Sequence, residues 1–152
     1  MPFDFGTMGK PNVLKRINND HLIAISIGLV YLWFGSLKFF PGKSPAEQLA
    51  KDTIDILTFG LIPQNITIIL LAIWEVLVGL LLITYRFKKL GLNLAIVHIV
   101  LTFTPMFVLS ELSFESAPIQ PTLLGQYIFK NIVFLAIMLV LYRKNQTSIN
   151  RD

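Results

Sequence analysis

Residues 66–85 read ITIILLAIWEVLVGLLLITY and contain a single charged side chain, that of Glu75. A run of about 20 mostly apolar residues is long enough for a helix to cross the roughly 30 Å hydrocarbon core of a bilayer. The run does not alternate polar and apolar residues as a membrane β-strand does. Residues 66–85 therefore predict a transmembrane helix.

Three further runs have the same length and character, at residues 21–40, 90–109 and 123–142. The first is expected to be a retained anchor, because about 20 residues precede it and no small-residue cleavage site follows it. The sequence thus predicts an all-α, polytopic membrane protein, a four-transmembrane-helix bundle spanning residues 21–142. Residues 1–20 and 143–152 are expected to form its two tails.

The composition agrees with a lipid environment. Hydrophobic residues make up 54% of the 152 residues and charged residues only 14%, and the mean hydropathy is +0.66. Ordinary soluble domains contain roughly 25% charged residues. These values argue against a soluble domain, a disordered chain and a nucleic-acid-binding protein, in spite of the net charge of +4.

The absence of cysteine excludes several kinds of chemistry. With no cysteine in the chain, it cannot form a disulfide, a thiolate nucleophile or a cysteine-ligated iron–sulfur cluster. No HExxH or EF-hand metal motif and no phosphate-binding loop is present either. We therefore predict no metal site.

The distribution of lysine and arginine predicts the orientation. Cytoplasmic loops of membrane proteins are enriched in these residues. Four crossings place nine of the thirteen on one side: Lys10, Lys15, Arg16, Arg86, Lys88, Lys89, Arg143, Lys144 and Arg151. The other side receives Lys38, Lys43, Lys51 and Lys130. We expect a multi-pass protein of the bacterial inner membrane with both termini in the cytoplasm.

The first outer loop contains a predicted helix. Ser44, Pro45 and Glu47 match the N-cap, N1 and N3 positions of a capping box. Apolar residues then recur at helical spacing, and Gly60 is expected to end the helix. We predict an amphipathic helix over residues 45–58, lying on the membrane face or capping the bundle, and an extended loop over residues 110–122.

Polar side chains inside the spans form the candidate site. Ionisable residues at this depth usually mark a function or a packing requirement. Each predicted span contributes at least one polar residue, so we expect the set to converge within the bundle. The principal members are Lys38, Glu75, His98 and Lys130, and the supporting members are Tyr31, Thr102, Gln126 and Asn131.

Two interpretations of this set stay open. Glu75 could pair with Lys38 or Lys130 only to fix helix packing. The set could instead exchange protons with, or bind, a quinone-like or other small amphiphile. Haem ligation by His98 is not expected, because the only other histidine, His21, lies at the opposite edge of the bilayer. The sequence identifies no cofactor.

Three short motifs resemble those of DoxX-like membrane proteins. Residues 31–39 (YLWFGSLKF) resemble the W-x-G-x-x-K-F signature, residues 74–79 (WEVLVG) resemble an acidic residue followed by glycine, and residues 125–131 (GQYIFKN) resemble the start of helix 4. The third motif is also similar to that of the YkgB-like, reactive-chlorine-resistance branch. The resemblance implies a four-helix inner-membrane protein associated with redox or oxidative-stress physiology.

Three functions follow as expectations. The first is an accessory, assembly or structural component of a membrane complex, with a membrane or redox partner subunit. The second is a quinone-binding oxidoreductase subunit, and the third is a small transporter, which would need a homo-oligomer because four helices enclose little volume. We expect no enzymatic activity for the isolated chain.

Overall fold

The computed structural model describes residues 19–84, 86–116 and 119–149. Most of the predicted N-terminal tail, residues 1–18, lies outside the described residues. The described elements, in chain order, are α1 Asn19–Leu37, α2 Glu47–Leu57, α3 Gln64–Thr84, α4 Lys88–Leu101, α5 Pro105–Val108, α6 Ser110–Ser113, β1 Phe114–Ser116, β2 Gln120–Pro121 and α7 Leu123–Ile149.

Four helical segments in this part of the chain are long and apolar enough to cross a membrane. They are Asn19–Leu37, Gln64–Thr84, Lys88–Val108 and Leu123–Gln146. The prediction of an all-α bundle of four transmembrane helices is confirmed. We call the end of the bundle with α2 and residues 105–121 the loop end, and the end where α1 begins and α7 finishes the terminal end.

The helices pack in sequence, α1 against α3, α3 against α4, and α4 against α7. Glycines bring α1 and α3 close together. A β-carbon on Gly28 would lie 2.9 Å from the carbonyl oxygen of Gly79, and one on Gly79 would lie 2.8 Å from that of Gly28. Small residues allow such backbone approach in membranes, where packing drives helix association. A core of apolar side chains from all four spans lies beside this contact: Ile27, Tyr31, Val78, Leu82, Leu92, Ala95, Ile99, Met138 and Leu141.

The third span is divided, unlike the continuous helix predicted over residues 90–109. Helix α4 ends at Leu101 and α5 begins at Pro105. Proline has no N–H to donate and disrupts the preceding turn of a helix. The carbonyl of Leu101 instead accepts the N–H of Thr104 at 3.0 Å, so the backbone stays bonded through the interruption.

The ends of other elements also differ from expectation. Helix α7 continues to Ile149, so much of the predicted C-terminal tail is helical. Where an extended loop is predicted over residues 110–122, Ser110–Ser113 form a short helical turn, and Phe114–Ser116 pair with Gln120–Pro121 as antiparallel strands. The backbone of Ser113 contacts Gly125 so closely that a β-carbon at Gly125 would overlap its carbonyl oxygen.

Helix α2 packs against α3 and α5 at the loop end. It begins at Glu47 with Ala46 as its cap residue, and no side chain caps it. The capping box predicted from Ser44 is therefore wrong. The Glu47 carboxylate instead accepts the N–H of Gly42 at 2.7 Å and a bond from Lys51 at 2.6 Å, which ties the start of α2 to the preceding turn.

Candidate intramembrane polar site

The centre of the site is a buried ion pair between α1 and α3. Lys38 follows the last residue of α1, and its Nζ lies 2.6 Å from Oε2 of Glu75. Only 8% and 9% of the two side chains are exposed. Gly35 permits this approach, because a β-carbon there would lie 2.8 Å from the β-carbon of Glu75. Helix α1 thus supplies the space for the acid, and the residue directly after the helix supplies the cation.

Helix α4 extends the pair into a chain of polar groups. Oε1 of Glu75 lies 3.4 Å from Nε2 of His98. Nδ1 of His98 lies 3.0 Å from the hydroxyl of Tyr31, which donates to the carbonyl of Ala95 at 3.2 Å. The rings of Tyr31 and His98 meet edge to face, with centroids 5.4 Å apart. The chain therefore joins α1, α3 and α4.

The heavy atoms of this chain accommodate two proton arrangements. If Tyr31 donates to Ala95, it accepts from Nδ1 of His98, and a proton must then lie between Nε2 and Glu75. If Tyr31 instead donates to Nδ1, its bond to the carbonyl of Ala95 is lost, and Nε2 carries the ring hydrogen and faces Glu75. The two arrangements follow from the donor and acceptor capacities of tyrosine and histidine, and they differ by one proton.

Polar atoms in the described part of the chain are well partnered. Among its buried side-chain nitrogen and oxygen atoms, every one has a hydrogen-bond partner. The positive charge of Lys38 lies against the negative charge of Glu75. Since an unpaired charge is costly within a bilayer, this arrangement makes the burial of both groups tolerable.

A second, smaller polar contact joins α7 to the end of α4. Nδ2 of Asn131 donates to Oγ1 of Thr102 at 2.8 Å, and Thr102 donates to the carbonyl of Ile99 at 2.6 Å. Thr102 lies directly after α4, at the interruption of the third span. This contact therefore holds the interruption against the fourth span.

Lys130 and Gln126 do not join the site, contrary to the predicted convergence. Both side chains are exposed, and Nζ of Lys130 lies 4.7 Å from the centre of the Tyr127 ring. The reason is helical phase. Near Lys130 the buried residues of α7 are Gly125 and Ile128, and Lys130 is about 200° around the helix from Ile128 at 100° per residue.

Tyr31 lies at the centre of the site, although the sequence predicts it only as a supporting member. It is buried and contacts both His98 and the backbone of α4. The spacing in the sequence indicates this position, because Tyr31, Gly35 and Lys38 recur at intervals of four and three along one face of the first helix. The sequence pattern assigns Glu47 only a capping role, although its i, i+4 spacing from Lys51 is typical of the ion pair that the structure contains.

Comparisons with known proteins leave the site to be understood from its own geometry. No protein-family model, no curated protein and no solved structure matches the chain. The resemblance of the three short motifs to DoxX-like proteins stays a prediction. Within residues 19–84, 86–116 and 119–149, no three His, Asp or Glu side chains are grouped as a metal site would require.

Proposed function

We propose that this chain is a DoxX-like protein of the bacterial inner membrane that serves as an accessory, assembly or structural component of a membrane complex linked to redox or oxidative-stress physiology. One observation carries this proposal: Lys38, Glu75, His98 and Tyr31 form a chain of contacts of 2.6, 3.4 and 3.0 Å across three helices. A set of groups that satisfies itself is suited to fixing the register of helices. The link to oxidative stress comes from the motif resemblance.

The test of this proposal combines assembly with physiology. The tagged chain, solubilised from its native membrane in mild detergent, is expected to migrate on a native gel as part of an assembly larger than a homo-oligomer. A strain lacking the chain is expected to be more sensitive to hypochlorous acid than its parent. A chain that migrates alone or only with copies of itself, in a strain of unchanged sensitivity, would contradict the proposal.

The proposed orientation has both termini in the cytoplasm, and the absence of cysteine makes it easy to test. A single cysteine at Glu111, an exposed residue of the loop end, is expected to react with a membrane-impermeant maleimide on intact cells. One at Lys89, an exposed residue of the terminal end, is expected to react only after the cells are opened. The reverse pattern would overturn the orientation.

A quinone-like ligand is the second candidate, favoured by the two proton arrangements of the site. Quinone reduction consumes two protons and two electrons, and a site that can hold an extra proton suits such a ligand. The 3.4 Å contact between His98 and Glu75 is the longest in the chain of groups, and 13% of the His98 side chain is exposed. His98 is therefore the group expected to donate to a quinone carbonyl, while the electrons would come from a partner subunit.

Titration of the purified protein with decylubiquinone distinguishes the quinone-binding role from the accessory role. A binding site would give a saturable rise in the melting temperature of the purified protein, lost in His98→Phe and retained in Lys130→Met. An accessory role alone predicts no saturable rise in any of the three proteins. Extraction of purified protein and analysis for bound quinone gives an independent result.

A further inference from the structure

The end of α2 contains a residue in an unfavourable backbone conformation. The N–H of Gly60 bonds to the carbonyl of Asp55 at 2.9 Å, and the N–H of Phe59 bonds to that of Ile56 at 3.2 Å. These two bonds define a Schellman motif, whose left-handed residue is usually glycine. Here that residue is Phe59, with φ of 53°. A bulky side chain therefore occupies a position that favours glycine, which has no side chain.

The fold gains little packing from this aromatic ring. Phe59 is 89% exposed, and Leu61 is 81% exposed. Ile56 and Leu57 are exposed as well. We call Ile56, Leu57, Phe59 and Leu61 the apolar turn. Four exposed apolar residues within six positions, one of them in a strained conformation, indicate that something outside the described chain covers them.

Helix α2 is asymmetric along its length. Its charged residues lie between Glu47 and Asp55, and the apolar turn follows directly. The membrane-spanning helix α3 begins at Gln64, three residues after Leu61. The apolar turn is therefore nearly continuous in sequence with a span, whereas nine residues separate the start of α2 from the end of α1.

We propose that the apolar turn inserts into the boundary between lipid headgroups and acyl chains, so that α2 is tilted, with its C-terminal end in lipid and its N-terminal end in water. Phenylalanine and leucine are typical of the apolar faces of interfacial helices, and these faces bury at this boundary. Lipid contact compensates for the left-handed conformation of Phe59. The inference is independent of the proposed function, since it depends only on the spans.

The cysteine-free chain allows a direct measurement of depth. Leu61→Cys and Phe59→Cys are each labelled with a nitroxide and reconstituted into phosphatidylcholine–phosphatidylglycerol vesicles. Gln48→Cys, at an exposed position on the charged end of α2, is the matched control. The accessibility of each label to oxygen, which partitions into lipid, is compared with its accessibility to a water-soluble nickel chelate.

The expected result is an oxygen-to-nickel accessibility ratio several-fold higher at residues 59 and 61 than at residue 48. The Phe59→Cys substitution could alter the turn itself. Leu61→Cys leaves Phe59 in place, so the measurement at residue 61 does not depend on that variant. Equal ratios at residues 61 and 48 would overturn the proposal. Spin–spin broadening at residue 61 would also overturn it, because it would place a second copy of the chain against the turn.

Discussion

The Nζ atom of Lys38 lies 2.6 Å from Oε2 of Glu75, although 37 positions separate the two residues in the chain. The pair is buried between the first two membrane-spanning helices, and Gly35 provides the space for it. His98 and Tyr31 then connect it to the third span. The stability of the bundle should accordingly respond to each of these residues.

The glycine contact between α1 and α3 gives the first prediction. Gly79→Ala would place a β-carbon 2.8 Å from the backbone nitrogen of Leu32. Since backbone cannot move aside as a side chain can, we expect a loss of about 1–3 kcal/mol in the free energy of unfolding. SDS titration in mixed micelles measures it. Ser26→Ala, at an exposed position of α1, is the control and should change stability by less than about 0.5 kcal/mol.

The hydroxyl of Tyr31 gives a second prediction about stability. Tyr31→Phe removes the contacts with His98 and with the carbonyl of Ala95 while keeping the ring. Hydrogen bonds between helices in membranes are worth about 0.6 kcal/mol on average, with a maximum near 1.7, and we expect a loss at the upper end because two contacts disappear. Tyr127→Phe, at an exposed position, should be neutral. Equal stability of the two variants would show that the hydroxyl of Tyr31 contributes nothing.

Glu47 gives a prediction about pH. The hydrogen bond from Lys51, and next that from the N–H of Gly42, hold the pKa of Glu47 below its ordinary value of 4.5. A lowered pKa in the folded state contributes stability that is fully present above the ordinary value and is lost as pH falls through the folded value. The melting temperature of Glu47→Gln should therefore lie below that of the wild type at pH 6, and the difference should shrink below pH 4.5. A difference that grows in acid would contradict this assignment.

The left-handed conformation of Phe59 gives a prediction in detergent. Phe59→Gly relieves the backbone strain, whereas Phe59→Ala removes the ring and keeps the strain. A left-handed conformation costs a residue with a β-carbon roughly 1–2 kcal/mol, partly offset by the greater entropy of glycine in the unfolded chain. We expect the glycine variant to be about 1 kcal/mol more stable than the alanine variant in a denaturant titration. A more stable alanine variant would mean that the backbone relaxes at this position.

Much of the fold is encoded in simple features of the sequence. Length and apolarity identify the four spans, because a bilayer imposes both on any helix that crosses it. The interruption at Pro105 was less accessible, since proline is often tolerated in membrane helices when other groups bond the freed backbone. The strand pair after α6 depends on contacts between residues that carry no clear pattern.

The candidate site was only partly accessible from the sequence. Lys38, Glu75 and His98 could be singled out because ionisable residues are rare within spans. Lys130 met the same criterion, yet its side chain is exposed. That difference depends on the rotation of a helix about its axis. In a helix that is apolar nearly all round, periodicity does not reveal which face packs.

The most direct test of the central claim is a double-mutant cycle on Lys38 and Glu75, followed by SDS titration in mixed micelles. Lys38→Met and Glu75→Gln should each cost about 3–5 kcal/mol, since each leaves a buried group without its partner. Lys130→Met, an exposed lysine of α7, is the matched control and should cost less than about 0.5 kcal/mol. The double variant should lose about 2 kcal/mol less than the sum of the single losses. Single losses that simply add would contradict the claim that this ion pair holds α1 and α3 together.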